Sequence, residues 1–473
     1  MTDTPPFLEI ADSFADPVGP ADFPKAIVRF RNQRWAGEVG LGSLSDAEWA
    51  KTYSEFPALA GNLPQPLAMR YHGHQFGVYN PELGDGRGFL YAQVRGTDGK
   101  LYDLGTKGSG QTPWSRSGDG RLTLKGGVRE VLAATYLEAL GVKTSKLFSL
   151  VETGEALQRN DEPSPTRSAV MVRLSETHIR IGTFQRVMVL GKTDELVRLV
   201  KHVVHNYHPQ ADHEDMSKTC VALAEAVAQD VGRMIGQWMA AGFVHGVMNT
   251  DNFNLTGETF DFGPYRFLPQ SDPNFVAAYF DHQGLYRFGR QPAQGLWVLQ
   301  QFAAALSPLA NTDDLGEALK TYELAYQESF RDHSFALLGV MRGELGEDLP
   351  QLGTFYGWMT NSGAPWHQVF FDWFGGPASE ARAASSPAAD FYKREDFAPV
   401  RDILMAREPD RPDRLDKEYF AQSRPCTLLY DEIEALWARI AEDDDWSAFE
   451  AKLSDLENLR LAYGLDGPKD YPS

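Results

Sequence analysis

Apolar residues recur at the spacing of a buried helix face in two stretches of the chain. Val221, Ala224, Val227, Val231, Met234, Ile235, Trp238 and Met239 predict a helix over residues 221–241, and Gly242 stands where it would stop. Val128, Val131, Leu132, Thr135, Ala139 and Leu140 predict a second over 125–140, with Gly141 as its terminator. Residues 89–95 instead alternate at period two. Gly96-Thr97-Asp98-Gly99 reads as a hairpin turn, and 101–107 as the returning strand. Residues 168–174 form a further apolar strand, and a short amphipathic segment occupies 46–56 among proline-rich connections. Beyond residue 290, apolar periodicity over 294–306, 313–337 and 428–440 predicts mostly helices. By composition, NDEPSPTR at 160–167 is a surface loop, and the small-residue run at 377–390 is a mobile loop or linker. Asp443-Asp444-Asp445 reads as a solvated helix start, and no internal repeat is visible.

Composition narrows the function. A length of 473 residues gives a prior of roughly two to four domains. A net charge of −20 argues against general binding to nucleic acid or anionic membrane, since both need basic patches, but leaves room for a local basic phosphate pocket. No basic-then-apolar leader opens the chain and no apolar run approaches the ~18 residues of a membrane span, so a soluble cytosolic protein is expected. Cys220 and Cys426 cannot alone build a disulfide framework or a thiolate zinc site. His202, His205, His208 and His213 match no zinc spacing.

The densest chemistry lies at 245–263, HGVMNTDNFNLTGETFDFG. A hard divalent cation prefers carboxylate and amide oxygens, and one that carries a nucleotide takes only one or two protein carboxylates. Asn252 and Asp261 are candidates for those ligands from the two sides of one hairpin, leaving Asp251 as a base. A polar turn bonding only its own backbone is the plainer alternative. Protein kinases place a catalytic loop ending in Asn before an Asp-Phe-Gly whose Asp holds Mg²⁺. His245 and Asn252 keep that loop's spacing, but Val247 stands at the kinase Asp position.

Upstream, Gly84-Asp85-Gly86-Arg87-Gly88 offers closely spaced backbone N–H groups and one guanidinium to phosphate oxygens, or else is a tight turn. Lys107 ends its strand as a candidate phosphate lysine, and Glu130 in the following helix is a candidate partner that orients it. GSGQTPWSRSGDG at 108–120 is a second glycine-rich loop. Arg173 and Arg180 together suit a polyphosphate clamp, although exposed arginines explain them equally well.

With these pieces in place the chain resembles the selenoprotein O family. The resemblance rests on His74-Gln75-Phe76-Gly77, Leu83-Gly84-Asp85-Gly86-Arg87, Lys107 to Pro113, Ser115 to Arg121, Arg129-Glu130, His178-Ile179-Arg180, Gly182 to Gln185 and His245 to Asn252, in order across 65–290. It implies an α+β, protein-kinase-like two-lobed fold. Its parts would be an N-terminal segment (1–65), a small lobe (66–190), a large lobe with the catalytic loop (191–330) and a mainly helical C-terminal region (331–473).

The implied activity is protein adenylylation, moving AMP from ATP to Ser, Thr or Tyr hydroxyls of proteins, with the nucleotide reversed relative to kinases. By resemblance Lys107 and Glu130 form the small-lobe ion pair. Gly84, Gly86, Arg87, Asp119, Gly120, Arg173 and Arg180 are nucleotide contacts, Asn252 and Asp261 bind Mg²⁺ or Mn²⁺, and Asp251 accepts the proton. The expected partners are protein substrates, with neither nucleic acid nor membrane, and a monomer is expected. UTP remains an alternative donor. Many family members end in a selenocysteine or cysteine. This chain ends DGPKDYPS, and 375–473 follows the family pattern poorly, so redox control through a terminal thiol is not expected. The rival readings are a γ-phosphoryl transferase using the same residues, which Val247 weighs against, and a nucleotide-binding pseudokinase scaffold.

Overall fold

The computed structural model describes residues 4–160 and 162–465, so the last residues of the chain, and with them the terminal-thiol question, lie outside it. It is an α+β protein built on an antiparallel sheet. In spatial order the sheet runs Ala15–Pro17, Leu67–Met69, Leu90–Arg95, Leu101–Lys107, Thr166–Ser175, Lys146–Leu157 and Ile27–Arg31, with Leu122–Thr123 pairing the Thr166–Ser175 strand. Residues before 65 thus supply both edge strands, covering backbone that would otherwise lie open to pairing.

Each face of the sheet carries its own apolar layer. On one, the helix Leu124–Ala139 packs Val128, Val131 and Leu132 into the main core; Thr123 caps it by accepting the Gly126 N–H at 3.2 Å. On the other, the helix Asp46–Glu55 presents Trp49 and Tyr53 to Phe148 and Tyr91. A reciprocal Ser45–Glu48 capping box starts that helix.

The long helix Met216–Ala241 extends the predicted one toward its N-terminus, from an Asp215 cap to Gly242 in the left-handed region (φ 66°). It lies along Thr321–Leu338, which it approaches through Gly232 and Gly236. The chain then closes a two-strand ribbon, Phe243–Val244 against Arg266–Phe267, around the stretch singled out above.

The segment 313–337 is helical as expected, divided into Thr312–Ala318 and Thr321–Leu338. Other expectations are corrected. Residues 377–390 are not a loose linker: a 3-10 turn and the helix Glu380–Ser385 bury Ala383, and Ser386 donates to the buried Asp372. Asp443–Asp445 close the helix Tyr430–Asp443, although Asp445 also accepts the Ser447 N–H that opens the next one. Thr166 and Arg167 belong to a strand, and Asp161 lies outside the described residues. The strand Lys146–Leu157 and the helix Ile181–Val189 escaped the periodicity reading. His202 and His205 sit within a third such element, the helix Thr193–Tyr207, while His208 bonds the Leu255 carbonyl at 2.7 Å.

Candidate active site

The stretch 245–263 is a braced loop. His245 donates its backbone N–H to Gln291 Oε1 at 3.0 Å, and its ring spans to the Phe260 carbonyl at 3.1 Å through Nε2. Burial pushes this imidazole down to about 4, so it stays neutral as a buttress. Asn252 donates its amide to the Val247 carbonyl at 2.9 Å. Thr250 donates to Gln185 Oε1 and accepts the His74 N–H, both at 2.7 Å. Asn249 Oδ1 receives the Tyr286 hydroxyl at 2.6 Å and the Phe76 N–H at 3.2 Å. The His74–Gly77 motif therefore works as a brace: its hairpin, Gly73–Gln75 against Val78–Asn80, clamps the loop that presents Asp251.

Charged groups from distant strands meet opposite this loop. Lys107 Nζ lies 2.7 Å from Glu130 Oε1 and 2.5 Å from Asp261 Oδ1. Arg173 pairs with the other Glu130 oxygen and donates to Ser145 Oγ at 2.8 Å. The strand register sets these partners, aligning Met171 with Lys107 and Arg173 with Gly105. Burial alone would raise the Glu130 carboxyl, but Lys107 and Arg173 outweigh it and keep it ionised. The Lys107 ammonium holds the Asp261 carboxyl well below the usual carboxylate range, and Arg87 stands 4.0 Å away. Asp261 adopts a left-handed φ of 64°, and its side chain keeps 39% of its surface open to the cleft.

Arg180 donates to the Asp251 backbone carbonyl at 2.8 Å, faces Asp85 at 3.4 Å, and lies over the rings of Tyr71 and Phe260. Asp251 itself is buried; its Oδ1 has no hydrogen-bond partner, and burial pushes its carboxyl up to about 6. Gly73 makes room for it, since a Cβ there would come within 2.8 Å of that oxygen.

The two glycine-rich loops pack on each other. A Cβ on Gly84 would strike the Trp114 ring at 2.4 Å, and one on Gly120 would strike the Gly110 backbone at 2.3 Å. Asp119 binds Arg159 at 2.8 Å and accepts the Arg121 N–H, and despite partial burial the Arg159 guanidinium draws its carboxyl down.

One cleft of about 700 Å³ is lined by Gly84, Gly86, Arg87, Lys107, Asp119, Gly120, Arg173, Arg180, Asp251, Asn252 and Asp261, while Glu130 stands behind Lys107. Trp114, Arg116, Arg159, His178 and Phe260 also line it and were not singled out from the sequence as site residues. Asp85, inside the first glycine-rich motif, was likewise missed as the brace for Arg180; its only signal was its place in that motif. A larger cavity of about 1100 Å³ lies elsewhere, beside Gln368, Tyr419 and Lys452, and none of these site residues lines it.

Among the described residues no three His, Cys, Asp or Glu side chains gather as a metal cage. The Asp261 carboxylate open to the cleft and the Asn252 amide that also lines it suit instead a hard cation that completes its shell with phosphate and water.

Comparison with known proteins adds a family. The profile of the family described as protein adenylyltransferase SelO matches residues 2–457. A protein nucleotidyltransferase YdiU of Synechocystis sp. is 42% identical over 97% of this chain and 98% of its own. The protein of the same name from Gloeobacter violaceus is 42% identical over 94% of this chain and 92% of its own. The one from Vibrio cholerae is 39% identical over 72% and 68%.

Proposed function

The chain belongs to the protein adenylyltransferase SelO family, and from that membership we propose that it is a protein nucleotidyltransferase that moves AMP from ATP to Ser, Thr or Tyr hydroxyls of other proteins. The observation that carries the reading is the cleft itself, where a Lys–Glu pair, converging arginines and a buried carboxylate surround one space. In this reading the fold is kinase-like. Residues 66–190 form the small lobe and 191–330 the large lobe, with 1–65 and 331–473 packed around them, and the nucleotide sits reversed relative to kinases. The enzyme is taken to be a cytoplasmic monomer.

The roles follow from charge and reach. Arg87, Lys107, Arg173 and Arg180 hold the polyphosphate, guanidinium groups being suited to paired oxygens. Gly84, Gly86, Asp119 and Gly120 shape the two loops over the nucleotide, and Glu130 positions Lys107. Asn252 and Asp261 would hold Mg²⁺ or Mn²⁺, which when bound neutralises phosphate charge. Asp251 takes the proton from the acceptor hydroxyl while that hydroxyl's oxygen bonds the α phosphorus. The bond from that phosphorus to the bridging oxygen breaks, and pyrophosphate leaves. With Asp251 as base, the reaction does not call on a carboxylate at the kinase Asp position, where Val247 stands.

ATP labelled at either the α or the γ phosphate tests this, with divalent metal and Asp261→Ala as control. Protein-bound α label alone, lost in the control, is expected. Protein-bound γ label alone would make the chain a kinase.

A further inference from the structure

An acceptor protein must bring its hydroxyl to Asp251, and the surface beside that residue is unusually apolar. Phe76 and Phe280 are 39% and 40% exposed, Val78 and Tyr279 70% and 76%. The aromatic rings form one shelf: Phe76 meets Phe280 edge-on at 5.8 Å and Tyr286 at 4.9 Å, and Tyr279 meets Phe280 at 5.1 Å, while Val78 stands opposite Gln75 in the same hairpin. The shelf residues do not line the cleft themselves, but Gln75, which precedes Phe76, does. It is also tied to the catalytic loop: the Phe76 N–H and the Tyr286 hydroxyl both bond Asn249 Oδ1, two residues before Asp251.

Phe76 is further held at a φ of 51°, a conformation that L residues rarely adopt. Glycine would relax that turn, yet a large apolar ring stands there with much of its surface in water. In a chain carrying a net charge of −20, exposed aromatics concentrated beside the loop that presents Asp251 mark a contact surface.

We propose that Phe76, Val78, Tyr279 and Phe280 form the docking shelf for the acceptor polypeptide, binding an apolar side chain that flanks its hydroxyl residue. The shelf rests on the adenylyltransferase reading and adds to it a preference in the substrate. Tyr279 and Phe280 follow the Asp-Phe-Gly, so one chain segment connects Asp261 to the shelf. An acceptor seated there lies against the loop carrying the base, and the glycine-rich loops that line the cleft are left to the nucleotide.

Peptides that carry one hydroxyl residue flanked by either Leu or Gly, offered with α-labelled ATP, test this. The wild-type protein is expected to label the Leu peptides with a kcat/KM about tenfold or more above the Gly peptides, the scale on which apolar pockets discriminate. Tyr279→Ser with Phe280→Ser is expected to abolish that preference through KM, while ATP Kd and labelling of the Gly peptides stay at wild-type values. Val78→Ser, at a well-exposed position, is expected to weaken the preference independently. A preference that survives both changes, or is absent from the wild type, overturns the shelf. So does a wild-type dimer that these substitutions convert to monomer, since the patch would then belong to a second copy. Label on no peptide and no protein at all overturns the reading of function, and the shelf with it.

Discussion

A buried carboxylate oxygen without a partner costs about 1–3 kcal/mol of stability, and Asp251 Oδ1 is such an atom. Retaining it makes sense where the oxygen has work to do on a bound molecule. Asp251→Asn removes the base and also the buried charge. We expect turnover to fall by about 10²-fold or more, with ATP affinity unchanged and a melting temperature equal to or above the wild type. Single-turnover transfer of α label, nucleotide titration and a thermal melt read the three quantities; undiminished transfer would remove Asp251 from the mechanism. Gly73→Ala tests the same oxygen from outside. The new Cβ would sit 2.8 Å from it, so either the carboxylate or the hairpin must shift. Turnover is expected to drop about tenfold, because small displacements of a reacting group are costly. A normal rate with wild-type folding would mean that the brace tolerates what its geometry excludes.

Among the elements, the sign of a glycine-to-alanine change is set by packing rather than by propensity. Alanine gains about 1 kcal/mol over glycine in a helix interior. Gly353, in the helix Leu345–Ser362, has open space where a Cβ would go, so Gly353→Ala is expected to stabilise by about 0.5–1 kcal/mol. Gly236, in the helix Met216–Ala241, faces the backbone of Thr321–Leu338, where a Cβ would lie 2.7 Å from both the Phe330 nitrogen and the Tyr326 oxygen. Gly236→Ala is expected to destabilise by about 1–3 kcal/mol, and equilibrium urea unfolding of both variants distinguishes the signs. The same contrast explains which elements were legible in the sequence. Helices 125–140 and 221–241 repeat their apolar residues at helical spacing and stop at glycines, and the hairpin ending at Lys107 is marked by its Gly96–Gly99 turn although its strands too are largely buried. Lys146–Leu157 lies between two apolar layers, and its buried run Leu147–Val151 loses the alternation. The segment 377–390 looked loose because its residues are small, but small size is what lets it close around Asp372. Within the site, residues 245–263 are contiguous and were readable as chemistry. The meeting of Lys107, Glu130 and Arg173 depends on strand register, and Arg116 and Arg159 reach the cleft from loops that carry no period.

For the whole molecule, the N-terminal segment and the C-terminal region are each fastened to a core helix, one of which carries Glu130. From the N-terminus, Phe7 packs edge-on against His202 in the helix Thr193–Tyr207. From the C-terminal region, His367 packs against Tyr136 in the helix that carries Glu130 and bonds its hydroxyl at 3.2 Å; Lys125 of the same helix pairs with Glu434 at 2.7 Å. Burial pushes His202 down to about 4 and His367 to about 3, so both are neutral in the folded protein near neutral pH. Each ring nitrogen left without a partner, Nε2 in both, would have to hold a buried charge if protonated. In the unfolded chain these histidines take up protons near pH 6.5, so below that value the unfolded state binds more protons than the folded one. Stability is therefore complete above about pH 6.5 and falls as the pH drops toward 4 for His202 and toward 3 for His367. Each contributes a slope of up to roughly 1.4 kcal/mol per pH unit in its window. Replacing either with glutamine removes that titration whatever the variant's stability at neutral pH. Unfolding free energies measured from pH 7 to 4 are thus expected to fall less steeply in His202→Gln and in His367→Gln than in the wild type, the carboxylate contribution being common to all three. Parallel slopes would show that the two junctions do not exclude the proton, and that the acid sensitivity of the molecule arises elsewhere.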